Sequence, residues 1–310
     1  MPSMKVWIDA CRPKTLVAAV VPVAVGASVW KVYGDVSQGT TQEHLIAFTS
    51  CLLFAFGAQV ASNFANDLGD AQRGADSLHR VGPIRAVVTG LISPRQMKIG
   101  IGLACLFAFL AGLPLGLNHP ILFIPAILAL LFALGYTLGP FPLAYWGLGD
   151  LFVISCFGLQ ATALTTYAMQ NYSSGALLAD TPWQPALLAG LGIGFLADNI
   201  LLSNNARDKE VDQEVGKRTT VVLWGRGFAK MAHLSNILLG LACLSFVFGW
   251  VLWVLLPWGL WQNRGFRAAQ KPADFIPFLT QSAVLLLVAG VLCVTVACLG
   301  WVSCGGSFLR

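Results

Sequence analysis

A chain of 310 residues with 56% hydrophobic and only 11% charged side chains, at a mean hydropathy of +0.72, is not a soluble globular protein. A soluble domain carries about 25% charged residues, and the shortfall points to a polytopic membrane protein whose spans each need about 20 apolar residues. The net charge of +5 reads as a topology signal rather than a nucleic-acid footprint. The eight cysteines form no C-x-x-C pair, which excludes a zinc ribbon or a disulfide framework.

Residues 1–14 are polar and run directly into an apolar stretch without a small-residue cleavage site, so they are not expected to be a cleaved signal peptide. Nine spans are predicted, at 15–33, 44–65, 97–117, 120–138, 147–168, 184–204, 229–245, 246–262 and 281–302. The stretch 229–262 reads either as two short spans hinged near Gly249 or as one long helix. The expected fold class is all-α, a membrane helical bundle, with 1–310 a single transmembrane unit and no soluble domain.

Charge placement supports nine spans with the N-terminus inside. All but Lys31 and Arg310 of the 19 basic residues then fall on inner segments or their flanks, as the positive-inside rule requires. The two longest inner loops before residue 260, 66–96 and 205–228, emerge on the same face.

Those two loops also hold half of the acid. Asp67, Asp70 and Asp76 lie in the first, and Asp208, Glu210, Asp212 and Glu214 in the second, out of 14 acidic residues in the chain. Carboxylates in membrane proteins are costly and usually serve ions, protons or substrates. If the preceding spans continue as helices, Asn66 and Asp70 share one face at i, i+4, and so do Asp208 and Asp212. Such neighbours repel unless a cation sits between them. Hard oxygen ligands with room for water suit Mg²⁺, which binds through one or two carboxylates plus substrate phosphate. Arg73, Arg80 and Arg85 follow the first patch and Lys217-Arg218 the second. Carboxylates for metal beside cations for anionic oxygens describe a metal–diphosphate site.

Asn66-Asp67-x-x-Asp70 and Asp208-x-x-x-Asp212 on nine spans resemble the paired Asp-rich motifs of the UbiA superfamily of intramembrane aromatic prenyltransferases, over most of the chain. Further segments resemble the branch that prenylates 1,4-dihydroxy-2-naphthoate in menaquinone synthesis. They are Arg12-Pro13-Lys14-Thr15-Leu16, Gly74-Ala75-Asp76, Arg80-Val81-Gly82-Pro83-Ile84-Arg85, Gly90-Leu91-Ile92-Ser93, and Asn204-Asn205-Ala206-Arg207-Asp208 with Gly216-Lys217-Arg218-Thr219 after it. Two departures from the wider superfamily, Gly74 where a third acid is common and Asn204 where a Tyr is common, speak against a 4-hydroxybenzoate acceptor.

The resemblance implies transfer of a polyprenyl group from polyprenyl diphosphate to 1,4-dihydroxy-2-naphthoate, with loss of the ring carboxylate as CO₂ and release of diphosphate. It implies Mg²⁺, with Mn²⁺ as the alternative, on Asn66, Asp70, Asp76, Asp208 and Asp212, and Asp67 among the catalytic acids. Arg73, Arg80, Arg85, Lys217 and Arg218 would take the diphosphate. Asn63, Asp198, Asn204 and Asn205 would line the acceptor chamber, and Arg12 and Lys14 belong to the N-terminal motif. Membrane lipid is an expected partner and nucleic acid is not. The expected location is a bacterial cytoplasmic membrane, with the active face cytoplasmic.

Some residues keep two readings. Asp150 is a substrate contact or a helix N-cap, and Asp198 a chamber lining or a buried hydrogen-bonded group. Trp250, Trp253, Trp258 and Trp261 read as a membrane-interface belt. The competing functions are prenylation of homogentisate or 4-hydroxybenzoate and, from a different class, cation-coupled transport. A transporter's acids belong at the bilayer midplane, often on broken helices, whereas these cluster at span ends.

Overall fold

Helices start where the sequence supplies caps. The computed structural model describes residues 2–74, 81–82, 85–172 and 180–301, and among them every regular element is helical. After the short α1 (Met4–Ala10) and a 3₁₀ turn at Pro13–Thr15 comes α2 (Val17–Tyr33). Helix α3 (Thr41–Gln72) opens with a reciprocal cap. The Thr40 hydroxyl accepts from the Glu43 amide at 3.3 Å, and the Glu43 carboxylate accepts from the Thr40 amide at 2.7 Å. Ser93 and Gln96 repeat that device at the start of α4 (Pro94–Asn118), with Pro94 in the first turn. Then follow α5 (Phe123–Gly135), α6 (Gly149–Asn171) and α7 (Trp183–Glu214). Thr219 caps α8 (Thr220–Phe248), which leads to α9 (Leu256–Ala268) and α10 (Ile276–Leu299).

Six of these helices are long and apolar enough to cross a membrane, counting Pro272–Leu299 as one. The count reaches seven if the pair Met4–Thr15 and Val17–Tyr33, bent by 50°, forms one span. The expected nine is therefore not reproduced. The fourth expected span is the shorter apolar helix Pro120–Gly135. The eighth is broken: Gly249 takes φ 96, a 3₁₀ segment fills Trp250–Leu255, and α9 has only 13 residues. The hinge near Gly249 is thus real, because glycine alone reaches that backbone angle without strain, but the segment after it does not form one long helix.

Helix α7 is the axis of the bundle. It packs on α2, α6, α8 and α10, and 72% of its most apolar window is buried, against 28% for α3. The main core follows from this, with Val21, Val25 and Val29 of α2 meeting Ile193, Leu196 and Ile200 of α7, and Ile237, Leu241 and Leu244 of α8. Helix α6 carries a π segment over Val153–Gln160, a form that concentrates at functional sites.

Candidate active site

Helices α3 and α7 are each 32 residues long, about 48 Å at 1.5 Å per residue. The hydrocarbon layer is only ~30 Å thick, so both helices have length to spare for a water boundary. Both Asp-rich motifs sit in these final turns, and as helix rather than loop. Asn66 and Asp70 of α3 and Asp208 and Asp212 of α7 line one cavity of about 720 Å³, together with Asn63, Asn204, Asn205, Arg85 and Lys217. The same cavity is walled farther in by Phe54, Phe109, Phe123 and Phe132. Phe54 lies more than four turns before Asp70 on α3, about 24 Å along the axis. The cavity is thus ionic at one end and aromatic at the other.

At the ionic end, two carboxylates converge on one lysine. The Lys217 ammonium lies 3.4 Å from Asp212 Oδ1, and Asp70 acts on the same lysine. Asp70 Oδ2 is 3.5 Å from the Arg85 guanidinium, and Asp70 Oδ1 accepts from the Tyr145 hydroxyl at 3.4 Å. Lys217 also stands over the Tyr145 ring, 5.7 Å from its centroid. Burial by itself would pull Lys217 down, but the nearby Asp70 and Asp212 carboxylates outweigh it and hold the ammonium well above the ordinary lysine range. Asp212 Oδ2 is buried without a hydrogen-bond donor, and Asn66 Oδ1 accepts from Thr137 at 2.8 Å.

Several expected site residues are used differently. Asp67 accepts from the backbone amides of Ala86 and Val87, at 3.1 and 3.2 Å; it ties the loop bearing Arg85 to α3. Asp208 is gripped through both oxygens by its neighbour Arg207, at 2.7 Å each, so it reaches the cavity as half of an ion pair. Arg73 donates to the carbonyl oxygens of Thr137 and Gly139, at 2.5 and 2.6 Å, and is not on the cavity wall. Arg218 is exposed and also off the wall. Asp198 is 3% exposed and bonded to Asn236 at 2.9 Å, the buried alternative rather than the lining. Asp150 neither caps a helix nor lines the cavity; it accepts from Thr220 at 2.9 Å. Arg12 and Lys14 are on the wall. Asp76 and Arg80 lie outside the described residues.

Sequence reasoning missed Tyr145, Tyr136, Thr137 and Asp9, of which Tyr136, Thr137 and Asp9 line the cavity. The available signal was the short inner segment 139–146, whose Gly139-Pro140-Phe141-Pro142 forces a tight return beside two tyrosines.

Residues 19–274 match the model of the UbiA prenyltransferase family. The chain belongs to that family. It is an integral membrane protein, as its apolar helices require. Among its relatives, the 1,4-dihydroxy-2-naphthoate octaprenyltransferase of Haemophilus influenzae is 34% identical over 306 residues, covering 93% of this chain and 94% of that protein. The protein of the same name from Mycobacterium tuberculosis is 29% identical, covering 93% of this chain and 95% of its own. The solved structure of a UbiA homolog from Archaeoglobus fulgidus bound to DMAPP and Mg²⁺ superposes with a TM-score of 0.58 at 18% identity, over 93% of this chain and 99% of that one. At that identity the likeness establishes the fold, a UbiA-type helical bundle.

Proposed function

We propose that this UbiA-family protein transfers a polyprenyl group from polyprenyl diphosphate to 1,4-dihydroxy-2-naphthoate, with decarboxylation, giving a demethylmenaquinol-type product and diphosphate. The observation that carries this reading is the two-ended cavity: Asp70, Asp212, Lys217 and Arg85 at its ionic end, and phenylalanines along the rest. A polyprenyl diphosphate has the same two ends, and each buried CH₂ favours the apolar side by about 0.8 kcal/mol. The names of the relatives supply the acceptor.

The donor set fits a divalent cation. Asp212 keeps a buried oxygen with no donor, and Asp70 faces the same space. Among the described residues no three acidic, histidine or cysteine side chains gather closely enough to hold a metal alone, so substrate oxygens would complete the shell, as is usual for Mg²⁺. Asp70 and Asp212 would hold Mg²⁺ or Mn²⁺, with Asn66 and Asp208 on the same helix faces. Such an ion supplies charge neutralisation at the departing diphosphate.

The chain's own residues account for the rest of the reaction. Lys217 and Arg85 bind the diphosphate oxygens and offset the charge that builds as the allylic C–O bond breaks and the electron pair leaves with diphosphate. The aromatic wall excludes bulk water, which would otherwise capture the allylic cation. The electron-rich ring then forms the new C–C bond, and the ring C–C bond to the carboxylate breaks as CO₂ leaves. We place the ionic end on the cytoplasmic face of a bacterial membrane, from the distribution of lysine and arginine.

The test is purified protein in detergent with 1,4-dihydroxy-2-naphthoate, a polyprenyl diphosphate and Mg²⁺, with and without EDTA, read by mass spectrometry. Metal-dependent prenylated and decarboxylated product is expected. Prenylation of homogentisate or 4-hydroxybenzoate in its place would overturn the acceptor, and no turnover of any acceptor would overturn the reaction. The pH–rate profile makes a second prediction. Because Lys217 is held above the ordinary lysine value of about 10.4, it stays charged as pH rises through that value. Wild type and Lys217→Arg should therefore have matching alkaline limbs up to about pH 10. A wild-type limb that vanishes in Lys217→Arg would show that Lys217 titrates within the working range.

A further inference from the structure

The cavity is closed at its apolar end, and one aromatic ring lies across it. Leu115, Leu122, Ala168 and Cys51 line the cavity there and pack on Trp30, Ala47 and Met169. Just past α4, His119 Nε2 donates to the Asn171 carbonyl oxygen at 2.6 Å and ties the end of α4 to the end of α6. Phe123, the first residue of α5, lines the cavity at this end and rests on Gly116, in the last turns of α4. A Cβ on Gly116 would meet the Phe123 ring, so the ring keeps its place only over a glycine. The Phe109 ring stands 6.4 Å from it and close to parallel, at 25°. Phe123 is thus held on one side by helix backbone and on another by an aromatic neighbour.

The depth of the cavity gives this ring a meaning. Thr137, just past α5, donates to Asn66 at the ionic end at 2.8 Å, and Phe123 lies about 21 Å from it at 1.5 Å per residue. An isoprene unit extends a chain by about 5 Å, given C–C bonds of ~1.5 Å. About four units therefore bring a prenyl chain from the ionic end to the Phe123 ring. We propose that Phe123 is the floor of the tail chamber and discriminates prenyl diphosphates by length. Chains too short to reach the ring do not sense it, and longer ones must turn aside against it, because a close-packed interior does not yield to added methylenes. The way aside is beside the floor: Phe109 and Ile127 line the cavity and are also 43% and 50% exposed on the outside of the bundle. This inference rests on polyprenyl diphosphate as the donor and is independent of the acceptor.

Competition binding to the detergent-purified full chain with Mg²⁺ tests it, using geranyl, farnesyl, geranylgeranyl and octaprenyl diphosphate to displace labelled farnesyl diphosphate. Phe123→Trp raises the floor. It should bind geranyl diphosphate within about twofold of wild type and geranylgeranyl diphosphate about tenfold more weakly. Phe123→Ala lowers the floor, and its affinity for geranylgeranyl and octaprenyl diphosphate should rise relative to geranyl diphosphate. Ile124→Ala is the control: its side chain is 63% exposed and off the cavity wall, so it should match wild type at every length. Thermal midpoints report folding, and Phe123→Leu, a smaller change, gives the same measurement if a larger one does not fold. A merely structural role would change affinity by one factor at all lengths. That result, or no change at any length, would overturn the floor. The assay needs no acceptor, so failure to prenylate 1,4-dihydroxy-2-naphthoate leaves the length series standing. Failure of every prenyl diphosphate to bind would overturn the donor and the floor together.

Discussion

Asp70→Asn is expected to lower turnover about a thousandfold, ~4 kcal/mol of transition-state stabilisation, while leaving polyprenyl diphosphate binding intact or tighter. The two effects separate because Asp70 stands between Arg85, at 3.5 Å, and Lys217. Removing its charge leaves those cations more attractive to a diphosphate. It also removes one of the two carboxylates that converge at the ionic end, and with it the proposed metal site. Turnover by the variant should no longer respond to Mg²⁺ over the range that saturates wild type. Single-turnover kinetics with a separate binding isotherm would read both quantities. Turnover within threefold of wild type, with its metal dependence preserved, would remove Asp70 from the machinery. Asp67→Asn is the informative contrast. Its carboxylate is used by the Ala86 and Val87 amides, so its loss should loosen the Arg85 loop and weaken diphosphate binding rather than abolish metal dependence.

Gly158→Val should destabilise the fold by about 3 kcal/mol or more, more than a hundredfold in the folding equilibrium. In the π segment of α6, the backbone at Gly158 rests on Gly190 and Gly194 of α7. A Cβ at Gly158 would meet the Gly190 carbonyl oxygen and lie 2.6 Å from Gly194 Cα, while one at Gly194 would be 2.9 Å from the Ile154 carbonyl oxygen. These neighbours are backbone, which cannot swing aside. Small residues four apart allow such an approach between membrane helices, and here the approach seats Phe152, Phe157 and Gln160 in the cavity wall. Thermal unfolding in detergent, with Gly102→Ala as control, is the measurement. A Cβ on Gly102 meets nothing within 4 Å, so that control should hold or slightly raise stability. Equal midpoints for the two variants would mean that α6 and α7 do not rely on this contact.

The chain by itself determined the membrane class, the helical bundle and the two Asp-rich motifs, because composition and i, i+4 spacing are local properties. Asn66 with Asp70, and Asp208 with Asp212, share faces simply because α3 and α7 continue through them. The hinge at Gly249 was legible for the same reason. Only the tertiary structure decided what each face meets. Spacing cannot tell that Asp67 turns to the Ala86 and Val87 amides while Asp70, three residues on, meets Arg85 and Tyr145. Nor can it tell that Arg207 occupies Asp208, or that Asp150 and Asp198 turn to Thr220 and Asn236 of α8. Helix rotation and close glycine contacts set those partners, and both depend on how neighbouring helices pack. The span count diverged for a related reason. Hydropathy registers apolar length, whereas Pro120–Gly135 and the broken run after Gly249 show that an apolar stretch need not be one continuous helix.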